Sequence, residues 1–218
     1  MNILPKEIAE RLKNRPDDII ADRYEEASVL FADFAGFTKH ASRENPEALV
    51  GYLNDVYSEF DKLVGAHGLE KVKTSGDAYI VVSGVPNPRP DHAMALADFA
   101  LALRDRTATP KHANDKGLAV RIGIASGSIV AGVVGTKKFF YDIWGDAVNL
   151  ASRMEQSSEP GKIQLSGKIR DLLKDHFQLE SRGPLSVKGK GTMRAWFLNS
   201  RKPTDTARKS KAALVRVK

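Results

Sequence analysis

The segment Glu70–Val82, EKVKTSGDAYIVV, decides the fold because it predicts a β-hairpin around which the rest of the chain can be arranged. Two runs of strand-forming residues flank Gly76, which can adopt the positive φ that a tight turn requires. Side chains alternate along a strand, so Lys71 and Lys73 are predicted to share one face and Val72 to lie on the other.

The hairpin turn ends on a carboxylate, and a second carboxylate ends another predicted strand. Asp77 follows the turn, and Asp33 ends the apolar run VLFAD at residues 29–33. Two acids at the ends of neighbouring buried strands repel each other unless a cation lies between them. Oxygen ligands beside a glycine-bearing loop suit Mg²⁺ or Mn²⁺. Either acid alone could simply cap its own loop or turn, but the two together predict a metal site.

Length and composition fit a single soluble domain with a full hydrophobic core. The chain has no cysteine, which excludes disulfides and thiolate metal sites and suits a reducing compartment. No signal peptide is visible, and the most apolar stretch, residues 117–135, is interrupted by arginine and serine. We therefore expect a cytoplasmic location, either alone or as the cytoplasmic domain of a longer protein, with no membrane span in this chain.

The net charge of +7 is concentrated at the C-terminus. Residues 201–218 contain seven of the 34 Lys and Arg residues but only one of the 27 acids. Such a segment is typical of a disordered, solvated tail. It lacks the interleaved aromatic residues that nucleic-acid binding favours, so no nucleic-acid partner is expected.

The first 27 residues predict an amphipathic helical segment, with apolar residues at helical spacing after Pro5. Such a helix either folds back on the following domain or packs against its copy in a dimer. We place the main domain at residues 28–200 and the basic tail at residues 201–218.

The main domain predicts an α+β fold with a ferredoxin-like βαββαβ core, an antiparallel sheet with both helices on one face. The predicted core elements are a strand at 28–33, a helix from 45, the hairpin, a helix at 91–106 and strands at 118–125 and 129–134. A C-terminal α/β extension follows, with a helix at 146–156, a strand at 163–165, a short helix at 168–173 and strands at 177–181 and 194–198.

The segment FYDIWGDAVNLASRM at residues 140–154 resembles the catalytic domain of class III nucleotidyl cyclases, in particular bacterial adenylyl cyclases. The resemblance covers residues 28–198 and rests on five motifs in the family's order, at 31–38, 70–77, 123–135, 142–153 and 187–191. It implies that Asp33 and Asp77 hold two Mg²⁺ or Mn²⁺ ions per site.

The resemblance also implies which residues bind the substrate. A helix would place Asn149 and Arg153, four residues apart, on one face, with Asn149 positioning the ribose and Arg153 binding the charge on the α-phosphate in the transition state. Lys190, or else Lys188, would reach the terminal phosphates. The loop that cradles the phosphates would be Phe34, Gly36, Phe37 and Thr38. One departure is Ser128, where some family members have a phosphate-binding arginine.

The predicted choice of base rests on Lys71 paired with Asp142. A lysine only donates hydrogen bonds and an aspartate only accepts them. Adenine offers an acceptor at N1 and a donor at N6, whereas guanine offers the reverse. The pair therefore matches ATP and mismatches GTP.

The resemblance thus implies an adenylyl cyclase that converts ATP to 3′,5′-cyclic AMP and pyrophosphate at sites shared across a homodimer. In each site the two metal acids would come from one protomer, and the base-binding and transition-state residues from the other. Two alternatives are a catalytically inactive regulatory domain and a nucleic-acid-binding module that uses the basic tail. The inactive domain is expected to lack one of Asp33, Asp77, Asn149 or Arg153, and all four are present.

Overall fold

The computed structural model describes residues 4–15, 18–37, 41–42, 44–108, 118–135 and 139–203. Its helices are α1 (Lys6–Asn14), α2 (Pro46–Ala66), α3 (His92–Ala108), α4 (Asp146–Gln156) and α5 (Gly167–Leu173). Its strands are β1 (Ala21–Phe34), β2 (Glu70–Ser75), β3 (Ala78–Ser83), β4 (Val120–Val134), β5 (Phe140–Trp144), β6 (Ile163–Leu165), β7 (Phe177–Val187) and β8 (Gly191–Arg201). The basic tail from residue 204 onwards lies outside the described residues.

The strands form one sheet in the order β2-β3-β1-β4-β6-β8-β7, with β5 also paired to β4. All pairings are antiparallel except that of β4 with β6. The first four strands with α2 and α3 follow the βαββαβ order, and the later strands extend the sheet from β4. The predicted α+β fold with a ferredoxin-like core and a C-terminal extension is confirmed.

Helices cover both faces of this sheet. The main core lies beneath α2, α3 and α5, where Phe60, Phe99 and Ile169 are among the buried residues. A second core on the opposite face contains Ile8 from α1 and Ala151 from α4. Helices α2 and α3 therefore share one face, as predicted, and among the described residues α1 and α4 lie on the other face.

The N-terminal helix folds back on the domain. Ile8 is 1% exposed and packs in the second core with Ile20, while Arg11 forms an ion pair with Asp22. Of the two alternatives that the sequence leaves open, the structure shows this one. Strand β1 begins at Ala21 rather than at residue 28, so the predicted domain boundary falls inside a strand.

Two predicted strands, 118–125 and 129–134, are one continuous strand, β4. The sequence Ser126-Gly127-Ser128 resembles a loop, but β1 pairs with β4 on both sides of it and a bulge in β1 between Tyr24 and Ala27 absorbs the irregularity. Strand β5 was not predicted, and it pairs with the second half of β4.

The hairpin forms as predicted, with Gly76 at φ 64° in its turn, but β2 contains a bulge. Lys71 lies opposite Val81, whereas Lys73 lies opposite Ile80. Val72 is the extra residue, and one extra residue moves every later side chain to the other face. The prediction that Lys71 and Lys73 share a face is therefore wrong.

Helix α4 lies directly on the backbone of β4 at Gly123. A Cβ atom added to this glycine would lie 2.0 Å from the Glu155 nitrogen and 2.5 Å from the Ala151 oxygen. A close approach of two backbones leaves no room for a side chain, so Gly123 sets the position of the whole helix.

We expect Gly123→Ala to destabilise the protein by about 3 kcal/mol, because the methyl group pushes α4 away from the sheet. Gly51→Ala is the matched control, since Gly51 lies in α2 with nothing within 4 Å of its added Cβ. That change should stabilise by about 0.5–1 kcal/mol through helix propensity. Chemical unfolding of both variants measures the difference, and equal stabilities would contradict the close contact at Gly123.

Candidate active site

Two acids from different parts of the chain line one cavity of about 480 Å³. Asp33 lies near the end of β1, opposite Arg121 on β4. Asp77 directly follows the glycine of the hairpin turn. Because β3 pairs with β1, the hairpin turn and the end of β1 meet at the same edge of the sheet.

The two acids lie close enough to affect each other's ionisation. Arg121 Nη2 donates to Asp33 Oδ2 at 2.7 Å, but Asp33 Oδ1 is buried without a hydrogen-bond partner among the described residues. Burial, followed by the proximity of Asp33, raises the pKa of Asp77 to about 6. Two carboxylates held in this way favour a cation between them.

Arg121 and Glu155 were missed by the sequence analysis. Arg121 Nε donates to Glu155 Oε1 at 3.1 Å, so the arginine links α4 to Asp33. Glu155 is 5% exposed, and burial raises its pKa to about 7. The one available signal was an arginine inside the otherwise apolar run of β4.

The predicted pairing of Lys71 with Asp142 is wrong, since Lys73 occupies that position. Lys73 Nζ lies 2.5 Å from Asp142 Oδ2, and the Ile143 N–H donates to the other oxygen of Asp142 at 2.9 Å. Lys71 instead contacts Asp61 of α2 at 2.8 Å. The bulge in β2 is the cause, because it turns Lys73 towards the cavity and Lys71 towards the helices.

The loop after β1 is described only in part. Phe34 is 3% exposed and its ring lies 6.1 Å from that of Phe60, so its side chain belongs to the core and only its backbone is available to a ligand. Gly36 is exposed with φ 77°, and Phe37 is half-buried beside the core. Thr38 lies outside the described residues, and the phosphate-binding role of this loop stays a prediction.

Asn149 and Arg153 lie on α4, which spans the predicted residues 146–156. Neither residue is among those that line the cavity with the two acids. Arg153 Nη1 donates to Gln156 Oε1 at 2.9 Å, while the buried face of the helix is formed by Ala147, Ala151, Met154 and Glu155. Within one chain, the structure therefore does not bring Arg153 together with Asp33 and Asp77.

Lys190 lies at the turn between β7 and β8, beside the start of α4. Its Nζ atom is 2.6 Å from the Asp146 carboxylate. This contact brings Lys190 next to the helix that carries Asn149. The role of either lysine towards phosphates stays a prediction.

Comparison with known proteins places this geometry in a family. Residues 19–200 match the family described as the adenylate and guanylate cyclase catalytic domain. The chain belongs to this cyclase family. An adenylate cyclase of Mycobacterium tuberculosis is 56% identical over 201 residues, which are 92% of this chain and 45% of that protein. The chain thus spans about half the length of the curated relative.

Solved cyclase structures share the fold. The guanylate cyclase domain of RhGC from Catenaria anguillulae, in complex with GTP, has a TM-score of 0.81 and 36% identity, covering 83% of this chain and 100% of that one. The catalytic core of a rhodopsin-guanylyl cyclase with converted specificity, in complex with ATPαS, has a TM-score of 0.80 and 38% identity, covering 83% of this chain and 98% of that one.

In the part of this chain that the structure describes, no helix has the length and apolarity to cross a membrane.

Cyclase catalytic domains depend on divalent metals, and the two acids fit such an ion. Among the described residues, no group of three or more His, Cys, Asp or Glu side chains converges on one point. Mg²⁺ is commonly bound by one or two carboxylates together with water and substrate phosphates, which matches this donor set.

The cyclase hairpin of β4 and β5 exposes a row of large apolar side chains. Val130 lies opposite Trp144, and Val134 lies opposite Phe140. These four side chains are 38% to 57% exposed. Clustered exposed apolar residues of this kind mark an interaction surface.

The raised pKa of Asp77 predicts how pH affects the metal-free cyclase. Its folded pKa of about 6 exceeds the ordinary 3.8, so the folded state binds this proton more tightly and loses stability as pH rises through that range. Asp77→Asn cannot ionise. In EDTA, we expect its melting temperature relative to that of the unmodified protein to rise between about pH 4 and pH 7. A relative melting temperature that falls over this range would contradict the repulsion between the acids.

Proposed function

We propose that this chain is an adenylyl cyclase catalytic domain that converts ATP to 3′,5′-cyclic AMP and pyrophosphate at sites completed by a second copy. The observation that carries the proposal is the pair Asp33 and Asp77 in one cavity, with a buried carboxylate oxygen that has no partner among the described residues. The 56% identity to a mycobacterial adenylate cyclase supports it.

In this proposal Asp33 and Asp77 hold two Mg²⁺ or Mn²⁺ ions. Bound ions of this kind lower the pKa of an attacking hydroxyl and neutralise phosphate charge, as attack of the ribose 3′-oxygen on the α-phosphate requires. Arg121 keeps the Asp33 carboxylate oriented through its 2.7 Å contact. Lys190 and the backbone of the 34–38 loop bind the terminal phosphates, which leave as pyrophosphate.

The pair Lys73 and Asp142 reads the base. Lys73 donates to N1 of adenine and Asp142 accepts from N6, whereas guanine would present a donor to the lysine and an acceptor to the aspartate. The Ile143 N–H fixes the Asp142 carboxylate, so the acceptor is oriented before substrate binds. The catalytic core of a rhodopsin-guanylyl cyclase with converted specificity was solved in complex with ATPαS, so specificity can be changed on this fold.

A second copy supplies the transition-state residues together with the base-reading pair Lys73 and Asp142, while the first copy supplies the two acids. Arg153 binds the charge that develops on the α-phosphate, and Asn149 positions the ribose. Since neither lines the cavity of Asp33 in its own chain, we propose that they act on the nucleotide held by the partner's acids. The exposed apolar row of β4 and β5, including Trp144 and Phe140, provides a surface for a homodimer.

Two earlier expectations stay predictions. The cytoplasmic location rests on composition. The expected lack of a nucleic-acid partner concerns the basic tail, of which residues 204–218 lie outside the described residues. An inactive regulatory domain is the second candidate function, but no observation favours it, because the residues required for activity are all present.

Lys73→Glu combined with Asp142→Cys tests the proposed function. The purified, unmodified protein should form cyclic AMP from Mn²⁺-ATP and use GTP poorly. The double variant has neither the lysine that donates to N1 of adenine nor the aspartate that accepts from N6. We therefore expect the ATP:GTP ratio of kcat/KM to fall by about a hundredfold or more. Nucleotide turnover followed by chromatography measures both products. An unchanged ratio would remove Lys73 and Asp142 from base recognition.

A further inference from the structure

A network on the far side of β2 holds Lys71 away from the cavity. Lys71 Nζ lies 2.8 Å and 3.1 Å from the two carboxylate oxygens of Asp61 on α2. It also lies 5.0 Å from the ring centroid of Tyr79, whose hydroxyl group donates to the same carboxylate. None of these three residues lines the cavity of Asp33 and Asp77.

Strand β2 is held by its pairing with β3, and the contacts of Lys71 and Val72 set where its bulge lies. In the described sheet β2 is an edge strand whose neighbour is β3, so backbone hydrogen bonds restrain it from one side only. With the bulge, Lys73 lies opposite Ile80, which lines the cavity. Without it, Lys73 would lie opposite Tyr79, which belongs to the main core under the helices. A slip of one residue would therefore take Lys73 out of the site.

Lys71 lies opposite Val81 in both registers, which differ in the residues that follow it. Its contacts with Asp61 and Tyr79 are on the helix side of the sheet, and the bulge follows immediately after it. Val72 packs beside the second core on the opposite face. These two contacts fix residues 71 and 72 on opposite faces, and the bulge then places Lys73 on the same side as Val72.

We propose that Asp61 is a positioning residue for base selection, acting through Lys71 to hold the bulge that keeps Lys73 beside Asp142. The inference rests on the proposed function, since the selected base is that of the nucleotide substrate. Asp61 and Lys71 touch neither substrate nor metal in this account. Their contacts keep Lys73, rather than Lys71, on the face of β2 that lines the cavity.

Asp61→Asn tests the proposal, with Asp61→Glu as the conservative variant. Glu59→Gln is the matched control, because Glu59 lies two residues earlier on α2 and forms an ion pair with Arg106 of α3. We expect Asp61→Asn to lower the ATP:GTP ratio of kcat/KM about tenfold, mainly through a higher KM for ATP. Asp61→Glu should restore most of the ratio. Glu59→Gln should leave it unchanged, whatever its melting temperature.

The same substitution in a Lys73→Ala background separates positioning from general loss of structure. If Asp61 acts through Lys73, Asp61→Asn has no further effect on the ratio there. The proposal is overturned if Asp61→Asn leaves the ratio at its unmodified value, or lowers it equally with and without Lys73.

Different results would reject the proposed function and the positioning role of Asp61. Loss of ATP preference in Lys73→Ala but not in Asp61→Asn would leave the proposed function standing and remove the positioning role. If the unmodified protein formed no cyclic AMP, the proposed function would fail. Competition of ATP and GTP for binding would then test positioning alone, and an unaltered preference in Asp61→Asn would overturn it.

Discussion

The placement of Asp33 and Asp77 at one edge of the sheet is the constraint on which the site depends. Strand pairing of β1 with β3 brings the end of one strand to the turn of the hairpin, and partial burial makes their proximity unfavourable, as the raised pKa of Asp77 shows. A cation relieves that repulsion. Arg121 satisfies one oxygen of Asp33, and in the proposed function the other oxygen binds a metal ion.

Helix α4 and the β2–β3 hairpin position the other charged side chains around this pair of acids. Gly123 lets α4 rest on the sheet, so that Glu155 reaches Arg121 from its buried face while Arg153 points elsewhere. The bulge in β2 likewise separates two lysines, because Lys73 lines the cavity and Lys71 contacts α2. In both places, a local backbone feature decides which of two charged side chains faces the cavity of Asp33 and Asp77.

Sequence patterns predicted those elements whose signals are local. Helix α4 spans the residues expected of it, and α2 starts at Pro46 with the Asn45 side chain accepting from the Ala48 N–H. The bulge was missed because alternation assumes a regular strand, and the contact that accompanies it lies on α2, ten residues away from Lys71 in the sequence. Arg121 and Glu155 were missed because strand pairing and helix packing, rather than spacing, bring them together.

The shared site is the central claim, and mixing two inactive variants tests it most directly. Asp33→Ala and Arg153→Ala should each be inactive alone, but their heterodimer has one intact site. Random subunit exchange should therefore restore about a quarter of the unmodified activity. A mixture of Asp33→Ala with Asp77→Ala is the matched control and should stay inactive, because each site takes both acids from one chain. Absence of recovery in the first mixture, with heterodimers shown to form, would contradict the account.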